Sequence, residues 1–431
     1  MSTLKITLAF LLSAGLAHAQ SITFSTTAPP LGLRHAALYP ETIEYDARSK
    51  RFLVGSFREG AVYAVSDDGQ TKLLVDDKRL CSVLGIAVDP TRNRLWVVNA
   101  DLGASVRSSG PKKLAAVGVY DLTTGSALAY VDLAALSAGS HLLNGIALDA
   151  SGTAYVTDSF SPVVYKVPFH APATVFLRDA RFAGDGVNLN GVVVHPDGYL
   201  LVVKKSDGAL FKIPLADPQR FTEVSAPRLV GGDGLTLIGK TELVVIANRT
   251  ATVATNAALA LTSTDGFSTA KLVASQPLGD VYPTTAVVRD NKLYVVHSDL
   301  GRLIAATQKA ELHAEATIRQ IAVVGGIRRT LIGREPAQKG LETRMYLIEY
   351  PPGAEAPPHI HSSPGIGWVV EGEFESAFGD EPPVRLKAGQ GFVERPTVAH
   401  RVFRNPSADQ PLRFLVAFTL RPAEEPFRLV P

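Results

Sequence analysis

The chain has 431 residues, and its 43 Lys and Arg against 41 Asp and Glu leave a formal net charge of +2. This near balance gives no electrostatic reason to expect a nucleic acid as a partner. With 46% apolar and 19% charged residues the chain is not disordered. The single cysteine, Cys81, excludes an internal disulfide framework and any metal site built from several cysteines.

Residues 1–19 have the features of a cleaved secretory signal peptide. Lys5 precedes an apolar run that is too short to span a bilayer and that ends in Ala17-His18-Ala19, an A-x-A cleavage pattern. No later segment has the length to span a membrane. We therefore expect a secreted or periplasmic protein without a membrane partner.

Between residues 35 and 305 one strand–turn–strand pattern recurs six times. Each copy is a short apolar strand, a turn rich in Asp, Gly, Pro or Asn, and a second apolar strand. The copies start at Ile43, Ile86, Ile146, Val192, Leu235 and Ala286. Because further strand-like segments fall between the copies, each unit has four strands. Six units of this kind predict a six-bladed β-propeller.

Polar residues recur two positions before the start of these copies. The six positions hold Glu41, Leu84, Asn144, Asn190, Asp233 and Thr284. Equivalent positions of successive blades are related by rotation about the propeller axis, so these side chains can converge at one end of the central channel. Carboxylate and amide oxygens suit a hard cation such as Ca²⁺, Mg²⁺ or Mn²⁺. The alternative is that Asn144-Gly145, Asn190-Gly191 and Asp233-Gly234 are ordinary turn dipeptides.

On these residues the segment resembles the gluconolactonase/regucalcin family, six-bladed propellers that hold one divalent cation in the channel. The resemblance implies a Ca²⁺, Mn²⁺ or Zn²⁺ site formed by Glu41, Asn144, Asn190 and Asp233. It also implies that Asp233 is the catalytic base for water attacking a lactone. An insertion in the second repeat either contacts an anionic substrate or forms a solvated loop, and its basic residues are Arg107, Lys112 and Lys113.

After a linker at 306–317, residues 318–431 form a second β-rich region. It resembles the cupin family of double-stranded β-helix (jelly-roll) barrels, through a first motif and a second motif that together contain Gly353, His359, His361, Gly372, Gly389, Pro396 and His400. Two histidines at i and i+2 on a strand point to the same side, and His400 closes the set from a later strand. Three imidazoles favour a transition metal: Zn²⁺, Fe²⁺, Cu²⁺ or Ni²⁺.

The position of the usual cupin carboxylate ligand is Gly365 in this sequence. Glu394, near the second motif, either takes over that role or lies on the surface, and we expect the surface. The histidines have an alternative role as a polar lining that binds a sugar without metal.

The fold class expected is therefore all-β, a six-bladed β-propeller followed by a cupin barrel. The function expected is that of an exported metal-dependent hydrolase that opens a sugar or related lactone in the propeller, with an accessory metal-binding cupin. Two alternatives stay open: a cupin-centred oxygenase or isomerase with the propeller as scaffold, and a non-catalytic ligand-binding protein. The partner expected is a small molecule, a lactone or sugar acid. A homodimer through the cupin is a further expectation, which no named residue supports.

Overall fold

The protein is described by a computed structural model, which covers residues 23–25, 30–35, 37–290, 292–305, 316–324, 327–350, 354–356, 358–407, 410–422 and 424–429. The expected signal peptide and most of the expected linker lie outside these residues. The chain divides into two compact units, one spanning Ile22–Val323 and one containing Val324–Pro431. Among the described residues, no helix combines the length and the apolar character that crossing a membrane requires.

The first unit is a ring of antiparallel sheets, which confirms the six-bladed propeller. Strands β1 and β2 precede the ring, at Thr23–Ser25 and Leu31–Gly32. The first five blades have four strands each, in sheet order 3-4-5-6, 7-8-9-10, 11-12-13-14, 15-16-17-18 and 19-20-21-22. Their bounds are β3 Pro40–Asp46, β4 Arg51–Ser56, β5 Ala61–Val65, β6 Thr71–Val75; β7 Ser82–Asp89, β8 Arg94–Ala100, β9 Ala115–Asp121, β10 Ala127–Asp132; β11 Leu143–Leu148, β12 Ala154–Asp158, β13 Val163–Val167, β14 Thr174–Arg178; β15 Leu189–His195, β16 Tyr199–Lys204, β17 Leu210–Pro214, β18 Thr222–Glu223; β19 Gly232–Ile238, β20 Glu242–Arg249, β21 Ala254–Thr262 and β22 Lys271–Pro277.

The sixth blade combines strands from the N-terminal end and from the C-terminal end of the propeller segment. Its strands are β23 (Pro283–Arg289), β24 (Lys292–His297), β25 (Thr317–Val324) and β1, and β2 also pairs with β25. The propeller was expected to end at residue 305 and the cupin to begin at 318, whereas the division between the two units falls after Val323. Because β25 forms a continuous ladder with β24, it belongs to the propeller. The N-terminal strand β1 pairs with β25 in this blade, so the two ends of the propeller segment meet in one sheet. In this position β1 covers the edge that β25 would otherwise expose.

The innermost strand of each blade contacts the innermost strands of both neighbours, from β3 through β7, β11, β15 and β19 to β23 and back to β3. Each of these six strands has a register shift at its start, as in the shift between Leu143 and Ile146. A bulge of this kind changes the direction in which a side chain points. The polar residues predicted to form the ring lie at these register shifts. Short helical segments connect strands of the first unit: α1 at Leu300–Ala305 and 3₁₀ turns at Ala134–Leu136, Ala180–Phe182 and Pro218–Arg220.

The glycines beside the polar ring are required for close packing of the inner strands. A Cβ on Gly145 would lie 2.5 Å from the carbonyl oxygen of Asn190, and one on Gly191 would lie 2.2 Å from that of Asp233. These Asn-Gly and Asp-Gly pairs lie inside β11, β15 and β19. The turn-dipeptide alternative is therefore wrong, because glycine here permits backbones to approach around the channel.

The second unit has two five-stranded sheets among its described residues, as expected for a jelly roll. Their orders are 26-27-34-29-32 and 31-30-33-28-35. In the long strand β34, alternate side chains are buried, from Leu412 through Phe414 and Phe418 to Leu420, and they pack with other aromatic side chains in the barrel. The bounds are β26 Arg328–Pro336, a 3₁₀ turn Gln338–Gly340, β27 Glu342–Tyr350, β28 His359–His361, β29 Gly365–Glu371, β30 Glu373–Phe378, β31 Val384–Lys387, β32 Gly391–Glu394, β33 His400–Arg404, β34 Leu412–Leu420 and β35 Phe427–Leu429.

Candidate functional site

Three buried histidines meet inside the second unit, as the sequence predicts. His359 and His361 lie on β28, and His400 begins β33, directly across from His359 in the strand pairing. One ring nitrogen from each lies within 4.8 Å of those of the other two. This spacing allows all three imidazoles to bind the same metal ion.

Glu394 joins these histidines, so the expectation of a surface position for it is wrong. Its exposed fraction is 3%, and its Oε2 lies 3.0 Å from Nε2 of His361 and 3.2 Å from Nδ1 of His400. Glu394 pairs with Gly365 across strands β32 and β29. Residues paired across two strands project from the same face, so Glu394 enters the barrel beside the position where the sequence lacks a carboxylate.

Gly365 itself has no room for a side chain. A Cβ there would lie 2.4 Å from a ring carbon of Phe418, whose ring is also stacked on His361 at 5.4 Å between centroids. The aromatic side chain therefore occupies the space of the usual ligand, and the carboxylate comes from the neighbouring strand.

The electrostatics of this cluster favour an anionic carboxylate beside the imidazoles. Burial opposes ionisation of Glu394, but the imidazoles of His361 and His400 outweigh it and lower the pKa of the carboxyl to about 2. Both nitrogens of His361, Nδ1 of His400 and Oε2 of Glu394 are buried without a hydrogen bond of good geometry. Buried polar atoms rarely lack a hydrogen-bond partner. A bound cation would give Nε2 of His361, Nδ1 of His400 and Oε2 of Glu394 a common partner. The donor set thus fits a transition metal.

Two further contacts hold His400 in place. Its Nε2 lies 2.8 Å from Oγ of Ser376, and its ring is stacked on Phe378 with 4.0 Å between centroids. With Nε2 used by the hydroxyl, Nδ1 is the nitrogen that faces Glu394. A hydrogen bond to the second ring nitrogen of a histidine fixes the orientation of its imidazole.

A cavity of about 50 Å³ adjoins the cluster, with walls of Tyr, Phe, Ile and Val side chains. His359, His361 and Glu394 line one part of it, and Arg329 of β26 is the cationic side chain among its lining residues. The guanidinium of Arg329 lies over the ring of Phe427, 4.5 Å from the centroid. The cavity therefore combines apolar walls, a candidate metal position and one fixed positive charge.

Three of the four residues expected in the polar ring of the propeller line one cavity, and Glu41 lies close enough to Asp233 to interact with it electrostatically. Glu41, Asn144, Asn190 and Asp233 are all buried, at the starts of inner strands of four different blades. Asn144, Asn190 and Asp233 line a channel cavity of about 60 Å³, together with Leu84 from the second blade. Burial raises the pKa of Glu41 well above its usual value, and the charge of Asp233 adds to this while Lys205 opposes it.

Lys205, which was not among the expected site residues, contacts this ring. Its Nζ donates to Oδ2 of Asp233 at 2.7 Å and also to Oδ1 of Asn248. Asn248 in turn donates from Nδ2 to the same Asp233 oxygen and to the carbonyl of Pro283 at 2.9 Å. A signal was present in the sequence: the fourth copy ends in two lysines, Lys204 and Lys205, directly after the apolar run Tyr199–Val203.

The divalent cation implied for the propeller does not fit this arrangement. Oδ2 of Asp233 already accepts from an ammonium and an amide. Burial disfavours the charged lysine, but the charge of Asp233, with Tyr282 and Glu41, outweighs it and raises the pKa of Lys205. A second cation among these side chains would meet an ammonium that stays charged.

The insertion of the second blade is fixed to its neighbours by Arg107. The guanidinium of Arg107 donates to the carbonyls of Gly60 and Asp77, each at 3.0 Å, and pairs with Asp76. Nζ of Lys112 lies 5.4 Å from the ring centroid of Phe160. These contacts tie Arg107 to the first blade and to the loop after it.

Comparison with known proteins gives a family for the second unit and a fold for the first. Residues 346–418 match the model of the family described as "Cupin domain", whereas no curated protein matches the chain. The first unit is similar to the major allergen Mala s 1 of Malassezia sympodialis, at 15% identity and a TM-score of 0.55 over 68% of this chain and 96% of that one.

Two other propellers are similar at lower scores. Virginiamycin B lyase from Staphylococcus aureus has 10% identity and a TM-score of 0.46 over 69% of this chain and 99% of its own. A gluconolactonase from Xanthomonas campestris has 13% identity and a TM-score of 0.47 over 72% of this chain and 99% of its own. Residues 346–418 are thus a cupin domain, and the unit before it is a β-propeller with the architecture seen in Mala s 1.

Proposed function

We propose that the cupin unit binds one divalent transition-metal ion and is the centre of a metal-dependent enzyme that acts on a small carboxylate. The observation that carries this proposal is the convergence of His361, His400 and Glu394 through buried atoms without hydrogen bonds of good geometry. His359 completes the set of three histidines. Three imidazoles and one carboxylate favour Zn²⁺, Fe²⁺, Cu²⁺ or Ni²⁺ over Ca²⁺ or Mg²⁺.

A metal ion held there would supply a Lewis acid that polarises an oxygen of the substrate. The side chains around it have separate tasks. Ser376 orients His400 through Nε2, and Phe378 holds the ring from one face. The apolar walls of the adjoining cavity exclude water from the substrate, which strengthens every electrostatic contact inside.

Arg329 supports a carboxylate as the substrate group. Among the described residues its guanidinium has no carboxylate partner within 4 Å, while it lines the same cavity as His361 and Glu394. An arginine binds a carboxylate by two parallel hydrogen bonds. A molecule with an anionic end at Arg329 and an apolar body against Phe403 and Phe414 would place its remaining polar group toward the histidines.

Turnover of small aliphatic and aromatic carboxylates, followed by NMR, tests the proposal. The full-length protein is stripped with a chelator and reloaded separately with Zn²⁺, Fe²⁺, Cu²⁺ or Ni²⁺. We expect conversion that requires metal and that is lost in His361→Ala but kept in Asp233→Asn. Conversion that survives both metal removal and His361→Ala would contradict the proposal.

A second candidate is hydrolysis of a lactone in the propeller channel, as the sequence resemblance implies. The two buried acids Glu41 and Asp233 at one end of this channel favour it. Since a divalent cation does not fit there, the reaction proposed uses Asp233 as base without a metal. Proton release from a lactone panel should then persist in chelator and vanish in Asp233→Asn. Activity that disappears in chelator and returns with Ca²⁺ would contradict this metal-free form.

A further inference from the structure

One position of the propeller repeat differs from its counterparts in a way that changes the charge of the channel. In each blade, the residue before the ring position pairs with a residue near the end of the second strand, and the residue that follows this partner holds an equivalent position in all six blades. These six residues are Phe57, Ala100, Ser159, Lys205, Asn248 and Ser298. The fourth blade alone among the six places a cation at this position.

The lysine spans two blades to reach its partners. It follows β16 of the fourth blade, whereas Asp233 and Asn248 lie on β19 and β20 of the fifth blade. Its backbone is fixed on both sides, since its N–H donates to the carbonyl of Asn188 at 2.8 Å and its carbonyl accepts from Gly231 at 2.9 Å. The side chain is 7% exposed, so the pair with Asp233 is shielded from solvent.

The partners of Nζ are those that a hard cation would use. Nζ contacts one carboxylate oxygen, from Asp233, and one amide oxygen, from Asn248, and the Glu41 carboxyl also interacts with it electrostatically. These are the oxygen types that coordinate Ca²⁺. The ring of Tyr282 faces the ammonium at 5.8 Å, which favours a cation on that side.

We propose that Lys205 is a built-in monovalent cation that takes the place of a divalent metal ion in the propeller channel. The wild-type channel then binds neither Ca²⁺ nor Mn²⁺, and removal of the lysine charge opens the same oxygen ring to a divalent ion. This inference concerns the propeller and does not depend on the metal proposed for the cupin.

Equilibrium dialysis of the full-length protein against ⁴⁵Ca²⁺ tests it, because Ca²⁺ takes oxygen ligands and avoids a histidine cluster. We expect no propeller site in the wild type and one bound Ca²⁺ per chain in Lys205→Met, at least about tenfold tighter than any binding by the wild type. Bound Ca²⁺ should also raise the melting temperature of the variant. Asp233→Asn in the Lys205→Met background should abolish the new site.

Lys204→Met is the matched control. Lys204 is the neighbouring buried lysine, but its Nζ pairs with Asp207 at 2.9 Å and not with the ring, so its removal should create no Ca²⁺ site. Lys205→Gln provides a second variant if the methionine does not fold, and rescue of folding by Ca²⁺ alone would support the proposal. Ca²⁺ binding by the wild type that Asp233→Asn abolishes would overturn it. Failure of both Lys205 variants to gain a site would overturn it as well.

Discussion

Glu394 lies directly across from Gly365 in the pairing of strands β32 and β29, and its carboxylate faces the histidine cluster of the cupin barrel. The ring of Phe418 leaves no space for a Cβ at Gly365. The carboxylate therefore lies on the strand beside Gly365 and points to the same face of the sheet as a side chain at Gly365 would. This arrangement places one negative charge beside three imidazoles, and the metal proposal depends on it.

The first prediction concerns that carboxylate. Glu394→Gln should weaken binding of Zn²⁺ or Ni²⁺ by about 10- to 100-fold, because it removes the anionic member of the ligand set without changing its volume. Competition with a coloured chelator measures the affinity. Glu371→Gln, at the solvent-exposed end of the adjoining strand, should leave it unchanged. Equal affinities of Glu394→Gln and wild type would show that the carboxylate is not a ligand.

The second prediction concerns recognition of the substrate. Arg329→Met should raise KM for a carboxylate substrate by roughly 10- to 150-fold, since a charge-assisted hydrogen bond contributes about 1.5–3 kcal/mol. Metal content should stay the same, because Arg329 is not a ligand. Arg385→Met serves as the control, since Arg385 is an exposed arginine on the edge strand β31 that pairs with Glu373 of the neighbouring strand. An unchanged KM in Arg329→Met would remove the arginine from the site.

The third prediction concerns the buried ion pair of the propeller. Asp233→Asn leaves the ammonium of Lys205 buried without its carboxylate, which should lower the free energy of unfolding by about 3–5 kcal/mol. In the double variant Asp233→Asn/Lys205→Met no charge is stranded, so part of that loss should be recovered. Urea unfolding of the two single variants and the double variant gives the coupling. Additive losses would contradict a direct pair.

The fourth prediction concerns Glu44, which faces the channel cavity below the polar ring. Burial raises its pKa from 4.5 to about 7. The folded protein therefore holds this proton more tightly than the unfolded chain, and the contribution of Glu44 to stability falls as pH rises from 4.5 to 7. Glu44→Gln should match the wild type near pH 4 and melt at a higher temperature above pH 7.

Melting curves of both proteins between pH 4 and pH 8 check this prediction. The equivalent position of the other five inner strands holds an uncharged residue: Ala87, Ala147, Val193, Thr236 or Val287. A stability difference that does not change with pH would mean that Glu44 is ionised at its ordinary pKa.

The sequence was sufficient for features that repeat or follow a short motif. The six blades, the in-register ring and the three cupin histidines each depend on spacing along one or two strands. Features that depend on contacts between distant strands were missed. The burial of Lys205 is decided by Asp233 and Asn248 from another blade, and that of Glu394 by its register against Gly365.

The domain boundary failed for the same reason. Thr317–Val324 has an ordinary strand pattern that fits either unit, and only its pairing with β24 assigns it to the propeller. The sequence likewise does not show that Thr23–Ser25 pairs with β25. In both cases the deciding hydrogen bonds join segments that are far apart in the chain.

The metal content of the purified full-length protein, measured by inductively coupled plasma mass spectrometry beside His361→Ala, tests the central proposal most directly. Both proteins are reloaded with transition metal and desalted before measurement. The account predicts close to one transition-metal ion per wild-type chain and almost none in the variant. Equal metal content in the two proteins, or a wild type that retains no metal after reloading, would contradict a metal centre in the cupin.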